Sequence, residues 1–140
     1  MELLKWTSFP TNLIHQTLSN LDIPVITESI EGLFSKALHR NVIELNGNLQ
    51  DLICCNCCYK ESIVFHTSTV LPKKCPICSQ ILRPDIVLLG ESIKNFHLAS
   101  DEIYRADLLL IIGSELKFWP ANQLVAKAQK HGCKIIYINL

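Results

Sequence analysis

The chain has 140 residues, 49% of them hydrophobic, and its 13 Lys and Arg balance its 13 Asp and Glu. That is enough apolar material for one real core carrying a small insert, and it argues against disorder. Zero net charge without a Lys/Arg run gives no footprint of a nucleic-acid partner, and the longest apolar stretch, ADLLLIIG, is too short to cross a bilayer. The N-terminal MELLKWTSFP lacks a basic start followed by an apolar run, so the expectation is a cytoplasmic protein with no membrane partner.

In chain order, Pro10 is placed in the first turn of a helix through TNLIHQTLSNL, with Leu13, Ile14 and Leu18 at helical spacing. Residues 23–27 (IPVIT) and 42–45 (VIEL) read as strands. So do residues 107–113 (DLLLIIG) and 133–140 (CKIIYINL). Their continuous apolar character suits strands covered on both faces. Pro120 opens PANQLVAKAQKHG, which Gly132 closes. Strand, helix, strand in this order predicts an α/β fold with a parallel sheet. The five glycines are isolated and form no phosphate loop.

Residues 51–84 break the rhythm and hold six of the seven cysteines. The domain reading is therefore 1–50 with 85–140 as a partial Rossmann-like domain, and 51–84 as a metal-held insert. Cys75 and Cys78 follow the first cysteines at zinc-ribbon spacing, with seventeen residues between Cys57 and Cys75. Two residues between cysteines let a tight turn aim both thiolates at one ion, and two such knuckles complete a tetrahedral, closed and therefore structural zinc shell. Spacing does not choose between Cys54/Cys57 and Cys55/Cys58. His66 lies between the knuckles and reads as an ordinary loop residue, and Cys133 as an inert buried thiol.

Five stretches in order, PVITESIEGL, VIELNGNLQDLICCNC, CPICSQILRPDIVLLGE, ADLLLIIGSELKFWPA and KIIYINL, resemble the motifs of the sirtuins, the NAD-dependent protein lysine deacylases. The resemblance runs from about Pro10 to Leu140. It implies an incomplete Rossmann-like parallel sheet with a small zinc-ribbon insert, structural zinc and NAD as cofactors, and an acyl-lysine protein or peptide as substrate. Its alignment puts the zinc ligands on Cys54, Cys57, Cys75 and Cys78, leaving Cys55 and Cys58 as partly exposed loop thiols.

The family transfers an acyl group from lysine to the ADP-ribose part of NAD, with a histidine as general base on a ribose hydroxyl. Asn46 stands at that histidine's position, and a carboxamide cannot accept a proton near neutral pH. His39 is a weak substitute. The nicotinamide residues map to Thr27, Glu28, Ser29 and Glu31, although Glu28, Ser29 and Glu31 also read as residues that open a helix. The nucleotide end maps to Gly113, Ser114, Glu115 and Asn139, where Glu115 puts a negative charge near a diphosphate. Val87, Leu88, Leu89, Gly90 and Glu91 match the strand that pairs with substrate peptide, with Leu89 lining an apolar tunnel. Without the resemblance, that stretch reads as a buried strand with a glycine turn.

The family's glycine-rich N-terminal segment has no match between Met1 and Leu140. The expectation is thus a deacylase domain of little or no activity alone, or a non-catalytic relic that binds protein through a zinc-held module. The sequence leaves the oligomeric state open.

Overall fold

The computed structural model describes residues 9–62, 72–114 and 119–138. The chain divides into two compact units, Met1–Lys94 and Asn95–Leu140.

In the first unit, helix α1 (Leu13–Leu21) begins after Pro10 rather than on it. Asn12 is the N-cap: its side chain accepts from the His15 N–H at 3.1 Å, and the Asn12 N–H returns to His15 Nδ1 at 3.4 Å. A reciprocal cap fixes the helix start more firmly than proline's preset φ, which displaces the expected boundary by a few residues. The helix buries none of its residues, and its His15 ring lies 4.6 Å from that of Phe34 on the short helix α2 (Leu33–Lys36).

Strands β1 (Val25–Thr27) and β2 (Val42–Glu44) pair in parallel. Strand β3 (Gly47–Cys54) then runs from this pair into the cysteine region. There it lies between β4 (Lys60–Ser62) and β5 (Leu82–Ile86) in an antiparallel sheet. Gly47 faces Ile86, its φ is +75°, and a Cβ there would lie 1.9 Å from the Asp85 carbonyl oxygen. Only glycine fits that approach. Leu45, Leu49 and Leu52 are almost fully buried along this run.

In the second unit, helix α3 (Phe96–Arg105) and helix α4 (Asn122–His131) accompany the parallel strands β6 (Leu108–Ile112) and β7 (Lys134–Ile138). Gly132 is the C-cap of α4, as read from the sequence. Ala99, Ile103, Leu124 and Ala128 form the buried seam. Lys127 ties α4 to α3, donating to Ser100 Oγ at 3.1 Å with its ammonium 5.2 Å from the Phe96 ring centre.

The parallel pairing matches the sequence reading, but the expected burial of these strands does not hold within the unit. Leu108, Leu110, Ile136, Tyr137 and Ile138 are exposed. Two strands and two helices do not supply enough surface to cover both faces of a sheet. Among the described residues, no helix is long and apolar enough to cross a membrane.

Candidate functional site

The two cysteine pairs are built alike. In the first, the Cys54 N–H donates to the Tyr59 carbonyl at 2.8 Å and the Cys58 N–H to the Cys54 carbonyl at 3.0 Å. In the second, the Cys75 N–H donates to the Gln80 carbonyl at 2.7 Å and the Ser79 N–H to the Cys75 carbonyl at 2.9 Å. Cys58 and Ser79 both sit in the left-handed region, at φ 58° and 62°. Cys58 is therefore the turn residue that closes the first knuckle, as Ser79 closes the second.

This repeat brings the thiols of Cys54, Cys57, Cys75 and Cys78 together, all within 4.8 Å of one another. Cys54 and Cys78 are 3.3 Å apart, and Cys57 and Cys75 3.5 Å. Sulfurs around a tetrahedral zinc at Zn–S of about 2.3 Å would be about 3.8 Å apart, so the spacing fits that ion. Cys54 and Cys75 are buried with Leu52 and Leu82, while Cys55 and Cys58 are exposed.

The thiols also compete for protons. The Gln80 backbone and the Cys54 thiol bring Cys78 down to about 6. At Cys57 the Tyr59 backbone pulls the same way, but burial and the other thiols outweigh it and push Cys57 up to about 12. A divalent cation lets all four ionise together, and with four thiolates it keeps no open position for water. Such an ion is a staple.

The second cluster centres on Asn46, at the joint between β2 and β3. Its Nδ2 donates to the Glu28 carbonyl at 2.9 Å, and its own carbonyl accepts the Val87 N–H at 2.9 Å. The Leu45 N–H donates to the Thr27 carbonyl at 2.9 Å, and the Leu49 N–H to the Ile30 carbonyl at 2.8 Å. The stretches 27–31, 46 and 87–91 thus converge, although the outer two lie 56 or more positions apart in the sequence.

Within the first stretch, Ser29 Oγ donates to Glu31 at 2.6 Å and the Ser29 N–H to Thr27 Oγ1 at 3.1 Å. None of Glu28, Ser29 and Glu31 caps the following helix. Gly32 is its N-cap and makes no side-chain bond. The loop closes on itself, so the reading of these residues as helix openers is corrected.

Residues 87–91 also differ from expectation. Pairing stops at Ile86, and Leu88–Glu91 form a turn closed by the Glu91 N–H on the Leu88 carbonyl at 2.9 Å, with Gly90 at φ +90°. Glycine at the third position of such a turn takes the positive φ that ends a strand. Leu89 is fully exposed at the tip instead of buried. The Leu88 N–H, and then Arg83, hold the Glu91 carboxyl below its usual range.

Beneath this turn, Asp85 is buried and takes ion pairs from Lys94 and from Lys60, the latter at 2.9 Å. Lys60 reaches Asp51 at 2.9 Å as well. This network was not legible in the sequence, where residues 51, 60, 85 and 94 are isolated charges on no shared periodic face.

His39 is buried and its Nδ1 accepts the Asn41 N–H at 3.2 Å. It lines a cavity of about 440 Å³ with Ser35, Arg40, Glu44 and Gln50, which Asn46 does not line. Gly113 follows β6, its N–H donating to the Ile138 carbonyl at 3.1 Å, with Ser114 next in the chain. Glu115, Asn139 and His66 lie outside the described residues. Cys133 is buried.

Residues 1–120 match the Sir2 family. An NAD-dependent protein deacetylase of Sulfurisphaera tokodaii is 38% identical over 143 residues, covering 96% of this chain and 56% of that protein. A Sir2–p53 peptide–NAD+ structure is similar with a TM-score of 0.83 and 28% identity, over 96% of this chain and 60% of that one. A Sir2 homologue with a histidine-to-asparagine mutation, in complex with ADP-ribose, has a TM-score of 0.88 and 26% identity, over 97% of this chain and 57% of that one. The chain spans about half the length of the curated relatives it matches. With the family motifs, the four-cysteine cluster and these likenesses together, the chain belongs to the Sir2 family of sirtuins.

Proposed function

We propose that the chain carries a Sir2-type site for NAD and an acyl-lysine peptide, whose deacylation turnover is low or absent because Asn46 stands at the general base's position. The observation that carries this reading is the convergence on Asn46, whose side chain meets Glu28 and whose main chain meets Val87. Asn46 can orient a ribose hydroxyl by hydrogen bonding but cannot take its proton, and losing a positioned base costs about 100- to 10,000-fold in rate. When bound, NAD supplies the ADP-ribose that receives the acyl group.

In this reading Thr27, Glu28, Ser29 and Glu31 face the nicotinamide, and Gly113, Ser114, Glu115 and Asn139 serve the nucleotide. Val87, Leu88, Leu89, Gly90 and Glu91 dock the peptide. Residues 51–84 are the zinc module inserted into a Rossmann-like domain of residues 1–50 and 85–140. Cys54, Cys57, Cys75 and Cys78 hold a structural zinc, for which a reducing compartment such as the cytoplasm keeps the thiols available. A Sir2 homologue with a histidine-to-asparagine mutation is in complex with ADP-ribose, which supports nucleotide binding by a site of this kind. A second reading, a peptide-binding pseudoenzyme, draws on the same locked Asn46 amide.

Fluorescence anisotropy of a labelled acetyl-lysine peptide, with NAD present, tests the site. Saturable binding by the zinc-loaded chain is expected, with product accumulating about 100-fold or more below a histidine-bearing relative. A peptide that fails to bind would refute both readings, and rapid product formation would refute the loss of the base.

A further inference from the structure

Arg83 lies on β5 opposite Ile53 of β3, and its side chain reaches three separate pieces of chain. Nε donates to Cys55 Sγ at 3.1 Å, beside the first knuckle. Nη1 donates to the Ile86 carbonyl at 3.0 Å, where β5 ends. Nη2 donates to Glu91 Oε1 at 2.7 Å. The other Glu91 oxygen then accepts the Leu88 N–H at 2.9 Å, so one carboxylate ties the turn to the guanidinium.

The planar fork of Arg makes this division possible, because its donors diverge in fixed directions. Arg83 and Glu91 are 31% and 41% exposed, so their charge attraction alone contributes little in water. What the arrangement supplies is geometry. Both the N–H and the carbonyl of Leu88 are used inside the turn, which among the described residues leaves the backbone groups of Leu89 and Gly90 for an incoming strand.

We propose that Arg83 is a positioning residue for peptide docking: by spanning Cys55, Ile86 and Glu91 it presets the Leu88–Glu91 turn so that a peptide strand meets Leu89 and Gly90. The inference rests on the reading of residues 87–91 as the docking segment. It also gives the exposed Cys55 a part as a neighbour of Arg83 rather than as a metal ligand.

Arg83→Lys is the test, since one ammonium on a flexible stem cannot serve three divergent acceptors. Zinc content and thermal midpoint stay near wild type, while the Kd for a labelled acetyl-lysine peptide rises about five- to tenfold and the Leu88 amide exchanges faster. Glu91→Gln keeps an acceptor for Leu88 and carries no folding risk at its exposed position. It gives a smaller rise, about threefold, and adds nothing further on top of Arg83→Lys. Lys73→Met removes the 2.7 Å ion pair with Glu61 in the same region and leaves affinity unchanged. If the wild-type chain binds peptide and both Arg83→Lys and Glu91→Gln bind it equally well, the positioning role is overturned alone. If the wild-type chain does not bind, the docking reading falls and takes the positioning role with it.

Discussion

The cysteine knuckles and the junction at Asn46 are joined by one strand, β3, yet they depend on their sequence in different ways. A knuckle is specified redundantly: spacing, two backbone hydrogen bonds and a left-handed closing residue repeat at Cys54–Cys58 and at Cys75–Ser79. The closing position tolerates either cysteine or serine because only its backbone is used. At the junction the backbone is equally ordered, and under the proposed reading proton transfer would hang on the side chain at position 46, whose amide donates to the Glu28 carbonyl. Changing that residue leaves the architecture standing and alters the chemistry. Under that reading an intact staple stands beside a site without its base.

The largest effect expected is on the staple. Cys75→Ser should abolish binding of one equivalent of zinc and unfold the β3–β4–β5 sheet, since metal binding supplies on the order of 10 kcal/mol of local folding energy. Metal analysis with circular dichroism reads both. Cys54→Ser should behave in the same way while Cys55→Ser keeps its metal, and the reverse pattern would mean that the other overlapping pair ligates.

Next comes the joint between the two regions. Gly47→Ala places a Cβ on the Asp85 carbonyl, so β3 and β5 must part where Asn46 meets Val87. A loss of about 3 kcal/mol or more in urea unfolding is expected, as for other strained backbone positions.

A smaller effect is expected at Asp85. Burial raises its pKa, but the hydrogen bonds and charges of Lys94 and Lys60 outweigh this and hold the carboxyl below its usual range. A carboxyl depressed in the folded state contributes fully above its unfolded value, about pH 4, and the contribution is lost as pH falls through the lower folded value. Urea midpoints should therefore decline below about pH 4, and less steeply in Asp85→Asn. At neutral pH that variant should cost about 2 kcal/mol, because both lysines keep partial contact with water.

The two regions also differ in how much of them can be read from the sequence. Cysteine spacing is a local signal, and the family alignment chose the pair that the structure assembles. The parallel strands were legible as apolar runs. The Leu88–Glu91 turn was not, because a glycine after three apolar residues fits a buried strand as well as an exposed tip. Nor were the contacts of Arg83 and Asp85, which depend on strand register across β3 and β5 rather than on neighbours in the chain. Asn46 was identifiable only as a departure from the family pattern. That its amide is held by Glu28 emerges from the fold.

The most direct measurement is the rate of deacylated peptide formation by the zinc-loaded wild type and by Asn46→His, at saturating NAD and acetyl-lysine peptide. The loss of the base predicts product near background for the wild type and at least about tenfold more for the variant. A wild-type chain that turns over as fast as Asn46→His, at the rate of a histidine-bearing relative, would contradict it.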